Sequence, residues 1–188
     1  MELQRHDRLL HPHVPFGSTR ATMRREIPAV RILPMSDKTQ GFRGRSIEQV
    51  QREVFLRWLP AHRGRWRYPR AGLNAEPGTI VLFQFQARII ATAVFLRDEK
   101  FERPRLGYAG EMYFDPQSFR TFDPLDVADM RKAWPSFRAF GHVKQFLNPT
   151  LYPAFKKRLK HVASPSRGSA GQRAAPANRS TSKPTARK

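Results

Sequence analysis

The chain of 188 residues carries 35 Lys and Arg against 15 Asp and Glu, a formal net charge of +20, and no cysteine. Its length sets an expectation of one folded domain, and the lack of Cys excludes disulfides, thiolate metal ligands, zinc fingers and cysteine nucleophiles. No apolar run reaches the ~18 residues of a membrane span and the Arg-rich start lacks the apolar core of a secretory signal, so a soluble, cytoplasmic protein with no membrane partner is expected. A charge excess of this size attracts phosphate-rich polymers through counterion release, which makes nucleic acid (DNA or RNA) the leading partner class; a basic composition that merely solvates the surface is the other reading.

The net charge divides into +5 over residues 1–46, +9 over 47–160 and +6 over 161–188. Residues 1–45 read as a mostly disordered basic extension. Met35-Ser36-Asp37-Lys38 looks more like the start of a folded protein than Met1 does, so residues 1–34 are either disordered or the result of an over-long start. His6, Asp7, His11 and His13 imitate a metal cluster, but a flexible tail cannot hold tetrahedral geometry. No metal and no cofactor is expected.

Folded structure is expected from Ser46. Ser46 and Gln49 have capping-box spacing ahead of Ile47, Val50, Val54, Phe55 and Trp58, which predicts an amphipathic helix ending near Pro60. Arg63-Gly64-Arg65-Trp66-Arg67-Tyr68-Pro69-Arg70 then alternates cations with aromatics. Guanidinium groups pair with phosphates while indole and phenol faces stack on bases, so the segment is a candidate nucleic-acid contact; the alternative is a surface loop whose two aromatics tuck into the core.

Thr79–Phe85 and Ile89–Phe95 read as strands, apolar on both faces, joined at Gln86-Ala87-Arg88, which lacks the Asn-Gly or Gly-Gly of a two-residue hairpin. Asp98-Glu99-Lys100 reads as a charged hairpin loop. Gly110–Asp115 and Ser118–Phe122 look like two further strands around the turn Asp115-Pro116-Gln117. Asp123-Pro124 has the N-cap and first-turn pattern of a helix carrying Val127, Met130 and Trp134 on one face. A strand or turn over Phe140–Phe146 follows. Asn148-Pro149 repeats the cap and opens a last helix with Leu151, Tyr152, Phe155 and Leu159, and with Lys156, Lys157, Arg158 and Lys160 at its negative end. The ordered unit is thus about 46–160, α+β, and residues 161–188 read as a disordered basic tail that buries too little to offset chain entropy.

The order Trp66-Arg67-Tyr68, Gly72-Leu73-Asn74, Pro77-Gly78-Thr79-Ile80-Val81-Leu82-Phe83-Gln84, Arg88-Ile89-Ile90-Ala91-Thr92-Ala93, Tyr113-Phe114-Asp115-Pro116, Trp134-Pro135 and Lys144-Gln145-Phe146-Leu147 resembles the PUA-like superfamily over about 66–160. The EVE-type domains and related modules of bacterial modification-dependent restriction systems are the most similar. The resemblance implies a small open β-barrel with flanking helices that binds nucleic acid and accepts a flipped or modified base in an aromatic-walled pocket. Carried onto this chain, it assigns Trp66, Tyr68, Tyr108 and Tyr113 to the pocket walls, and Asn74, Gln84 and Asp115 to the base edge. Arg63, Arg65, Arg67 and Arg70 are the phosphate candidates, with Lys144 as a second patch. Each has a plainer reading: Tyr113 as core, Asn74 and Asp115 as turn formers, Gln84 as a strand rim.

Two other classes remain. As an enzyme, the chain offers Asp98-Glu99-Lys100 without nuclease spacing, and Glu111 with Asp115 on one strand face without a His or a metal signature; neither amounts to a catalytic set. Gly41-Phe42-Arg43-Gly44 imitates a KH-type backbone clamp without the helix expected before it. As an interaction subunit, the chain would be the recognition part of a defence system whose nuclease is a separate partner protein.

Overall fold

The computed structural model describes residues 27–37, 41–141 and 144–165. Seven strands among these residues form one sheet: β1 Val30–Pro34, β2 Arg65–Tyr68, β3 Ile80–Phe85, β4 Arg88–Arg105, β5 Tyr108–Phe114, β6 Arg120–Leu125 and β7 Gln145–Leu147. Their order is β2-β5-β4-β3-β1-β7, with β6 on β4, and the two ends do not pair, so the sheet is open and the fold α+β.

β4 organises the sheet. Its first half pairs with β3 on one edge and, between Ile89 and Thr92, with β6 on the other; from Phe95 onward that second edge passes to β5. At the change of partner the Val94 amide donates to Ser118 Oγ and the Val94 carbonyl accepts from the Asp115 amide, so the Asp115–Ser118 turn fills the gap in the ladder. Gln51 does the same from the first helix, its amide donating to the carbonyls of Ile90 and Phe122 at 2.8 and 2.7 Å.

Each sheet face carries a core. Val81, Phe83 and Phe85 of β3 pack on one side with Val54, Phe55, Phe95, Phe114 and Phe119, and Ile80 and Leu82 pack on the other with Val30, Ile32, Phe122, Trp134 and Phe155. β3 is buried along its whole length, which explains why its sequence is an almost continuous apolar run rather than an alternating one.

The structure moves several expected boundaries. The folded unit does not begin at Ser46: β1 lies within the sheet, parallel to β3 and antiparallel to β7, with Val30 and Ile32 fully buried. The expected disorder of residues 1–26 lies outside the described residues. The tail boundary at 160 also shifts, because Ala163 bridges Thr121 and His161 pairs with Asp123 at 2.9 Å; residues 166–188 are outside the described set. Asp98-Glu99-Lys100 is not a hairpin loop but lies inside β4, whose hairpin with β5 turns at Leu106-Gly107. Asp123-Pro124 falls within β6, and Asp126 caps the Val127–Ala133 helix instead, with Asp129 completing the capping box. The closing helix is short: Pro149–Leu151 is a 3-10 turn capped by Asn148, and Tyr152–Lys156 follows, so Lys157, Arg158 and Lys160 lie beyond it.

The first helix has the expected Ser46–Gln49 capping box, but runs as Ile47–Gln49, then nine π-helical residues Val50–Trp58, then Leu59–Ala61. Its apolar residues explain the winding. At the ~4.4 residues of a π turn, Val50, Val54, Phe55 and Leu59 come to one side, whereas α-helical winding sets Val50 and Leu59 opposite each other. Leu59 is accordingly fully buried, and Trp58, expected in the core, is 47% exposed.

Candidate functional site

A cleft of about 1230 Å³ opens between the end of β1, the Gly41–Arg45 segment, the outer side of the first helix, β2 and the tip of the β4–β5 hairpin. Chain alternation builds its floor. In β2, Trp66 and Tyr68 share one side, opposite Met112 and Gly110 of β5, while Arg65 and Arg67 fall on the other, opposite Tyr113 and Glu111.

Trp66 stacks on Phe42 with ring centroids 5.5 Å apart and planes 20° from parallel. The Tyr68 hydroxyl donates to the Glu99 carbonyl at 3.3 Å. Gly110 makes that contact feasible, since a Cβ there would run into the Tyr68 hydroxyl and the Glu99 carbonyl. Burial, with Asp98 and Glu99 nearby, pushes the Tyr68 hydroxyl above its ordinary pKa, so it stays a neutral donor. Tyr108 and the exposed Trp58 line the same cleft, Trp58 stacked on His62 at 4.5 Å. Arg45 and Arg57 stand on its rim; Arg45 is held by Glu53 at 3.0 Å, and Arg57 is exposed.

Of the seven expected pocket residues the structure brings three together: Trp66, Tyr68 and Tyr108. The other four lie elsewhere. Tyr113 is on the opposite sheet face, its hydroxyl donating to Glu111 at 2.9 Å and its ring 3.9 Å beneath the Arg97 guanidinium. Asp115 forms a turn, accepting from the Gln117 amide. Gln84 is a buried residue of β3, not a rim residue. Asn74 takes a left-handed conformation at φ 49°, its amide held by Asp98, and lines a separate, smaller recess.

The cations divide in the same way. Arg65 and Arg67 contribute to the cleft wall, but their guanidinium groups reach Glu111, at 3.8 and 2.9 Å. Burial pushes the Glu111 carboxyl up, yet the hydrogen bonds from Arg67 and Tyr113 and the charges of Arg65 and Arg67 outweigh it and hold it below its ordinary value. The Lys144 ammonium is spent on the carbonyls of Ala71 and Gly72, and burial lowers its pKa. Arg63 and Arg70 are exposed at the two ends of the β2 segment.

Sequence reasoning missed Phe42, Arg45, Arg57 and Trp58. Trp58 was assigned to the core on α-helical spacing, and Phe42 sits in the Gly41–Gly44 segment, whose two glycines were its only local signal. Asp98 and Glu111 have structural partners, with Asp98 accepting from the amides of Leu73 and Asn74. Among the described residues no group of three or more His, Asp or Glu is placed to hold a metal, and no helix is long and apolar enough to cross a membrane. Chemically, the cleft offers flat aromatic faces, the Tyr108 phenol and arginines at its edge. No family model, curated protein or solved structure matches the chain.

Proposed function

We propose that the chain is a nucleic-acid-binding module of PUA-like type, which receives an exposed or flipped base of DNA or RNA in the cleft between the first helix, β2 and the β4–β5 hairpin. The observation that carries this reading is the combination of Trp66, Tyr68, Tyr108, Phe42 and Trp58 in one cleft with Arg45 and Arg57 at its edge. Aromatic faces hold bases by stacking, worth ~1–3 kcal/mol each, and guanidinium groups hold the neighbouring phosphates. At about 1230 Å³ the cleft exceeds the ~300–1,000 Å³ of a typical small-molecule pocket, which suits a polymer segment crossing it. A chain bearing +20 supplies the long-range attraction.

The test is fluorescence anisotropy with labelled single-stranded and duplex oligonucleotides, each with unmodified and modified bases, across a salt series. Binding should weaken linearly in log–log form with salt, and one base type should be preferred. Trp58→Ala and Tyr108→Ala should each weaken binding ~5–100-fold and reduce that preference, while Arg57→Ala should reduce the salt slope by about one charge without changing it. Absence of binding at low salt would overturn the reading.

A further inference from the structure

We infer that the recess between β1, β7 and the Asn74–Glu76 segment is an oxyanion site for a phosphate group, with Arg31 as its anchor. It is independent of the cleft and has a volume of about 420 Å³. Arg31 is 6% exposed, an unusual state for a guanidinium, and its Nε has no hydrogen-bond partner among the described residues. Burial lowers its pKa, and among the described residues no carboxylate forms an ion pair with it. Phe146 engages it, with its ring centroid 3.5 Å from the guanidinium carbon. Phe146 is itself 71% exposed, a large apolar ring left in solvent at the mouth of the recess.

The position of Arg31 follows from the strand. Val30 and Ile32 turn into one core, so Arg31 must emerge on the other face, where it lines the recess with Asn74, Ala75, Glu76 and Phe146. A buried guanidinium with no counter-ion among the described residues is expensive, and the planar fork of an arginine suits a tetrahedral oxyanion. The surroundings agree. Lys144 is close enough for its charge to act against that of Arg31, and it adds positive potential while its ammonium is fixed on the Ala71 and Gly72 carbonyls. Asp98 is committed to the Leu73 and Asn74 amides. Glu76 lines the recess without an ion pair to Arg31, so it opposes an incoming anion.

The experiment titrates the full chain with inorganic phosphate against chloride at equal ionic strength, reading the melting temperature and the arginine Nε–H resonances. Phosphate at ten times its Kd should raise the melting temperature by about 3–6 °C and shift the Arg31 resonance. Arg31→Met should melt no lower than wild type in chloride and lose the response to phosphate, whereas Glu76→Gln should bind phosphate about two- to five-fold more tightly. A phosphate response that persists in Arg31→Met, or a wild type that does not respond, overturns the site. If Arg31→Met does not fold, the wild-type Arg31 resonance decides: it moves with phosphate or the site is refuted. Oligonucleotides with 5′-phosphate and 5′-hydroxyl ends separate the sources. A tighter 5′-phosphate complex in wild type alone supports a nucleic-acid phosphate, and phosphate binding that oligonucleotides do not compete supports a free phosphorylated molecule. A protein that binds phosphate but no oligonucleotide keeps this site and overturns the cleft reading; the reverse overturns this site alone.

Discussion

The two faces of the β2–β5–β4 ribbon are made from the same four-residue segment, Arg65-Trp66-Arg67-Tyr68, and do opposite things. On one face Trp66 and Tyr68 line an open aromatic cleft; on the other Arg65 and Arg67 close on Glu111, beside Tyr113, Arg97 and Glu99. The difference lies in where polar groups are satisfied. The charged face has already matched its donors to acceptors, so it contributes to the sheet's stability, while the cleft face presents aromatic rings to open space, Trp66 stacked on Phe42 and Trp58 on His62. Arginine content alone therefore overstates the surface offered to phosphates, and strand parity sorts the residues better than composition does.

The comparison is broken most severely by removing what supports both faces. A chain begun at Met35 lacks β1, and with it Val30 and Ile32 from the core and the strand that pairs in parallel with β3. Losing buried side chains of that size costs several kcal/mol, on the order of the whole stability of a small domain. Circular dichroism and proteolysis should find the 35–188 fragment unfolded, and a cooperative melt equal to that of the full chain would contradict the placement of β1.

A more selective break is Glu111→Gln. The carboxylate that accepts from Arg67 Nε at 2.9 Å and from the Tyr113 hydroxyl at 2.9 Å is replaced by an amide that cannot carry both bonds with charge, which should cost about 2 kcal/mol. Urea denaturation should register that loss, and oligonucleotide selectivity should stay unchanged because the aromatic residues of the cleft are untouched. The same carboxylate predicts a pH dependence. Its folded pKa is lowered, so its stabilisation is present above its ordinary value of 4.5 and is lost as pH falls through the folded value. Wild type should therefore lose stability on acidification below about pH 4.5 more steeply than Glu111→Gln does. Parallel acid limbs for the two proteins would refute this assignment.

The fold was legible where local chemistry decides it. The Ser46 cap and the β3–β4 hairpin follow from spacing and β-branched content, and both stand where expected, though β4 runs ten residues further than its apolar part. β1 was not legible, because a five-residue strand interrupted by Arg31 and ended by Pro34 acquires its character from pairing with β3, some fifty residues away. The site was half legible. In β5, Met112 and Phe114 must face the core, so Tyr113 had to point away from it, and that parity was available in the sequence. Trp58 was not recoverable in this way, since its exposure depends on π winding that only tertiary packing selects.

A third prediction tests the cleft face by itself. Tyr68→Phe keeps the ring against the core and removes only the hydroxyl that donates to the Glu99 carbonyl at 3.3 Å. Stability should fall by about 0.5–1.5 kcal/mol, the net worth of one hydrogen bond between neutral groups. The loss should be smaller than that of Glu111→Gln in the same urea titration. A larger loss would place more of the sheet's stability on the cleft side than the comparison allows.

The smallest effect lies at a position on neither face, and it has the opposite sign. The β3–β4 hairpin turns through Gln86 and Ala87 at φ 48° and 56°, the left-handed pair that a two-residue hairpin of this hand requires. Neither residue suits that conformation, and an L-residue with a Cβ is strained there by about 1 kcal/mol relative to glycine. Both side chains are exposed, and only Gln86 has a contact among the described residues, a long hydrogen bond to the Arg45 carbonyl at 3.5 Å. Ala87→Gly relieves the native strain but also increases the freedom of the unfolded chain, and the second effect is the smaller where φ is positive. The variant should gain a few tenths to about 1 kcal/mol in urea, with oligonucleotide binding and phosphate response both unchanged. A destabilised Ala87→Gly protein would mean that the turn is held by contacts other than its own backbone, and the register of β3 on β4, on which both faces of the ribbon depend, would have to be set from elsewhere in the sheet.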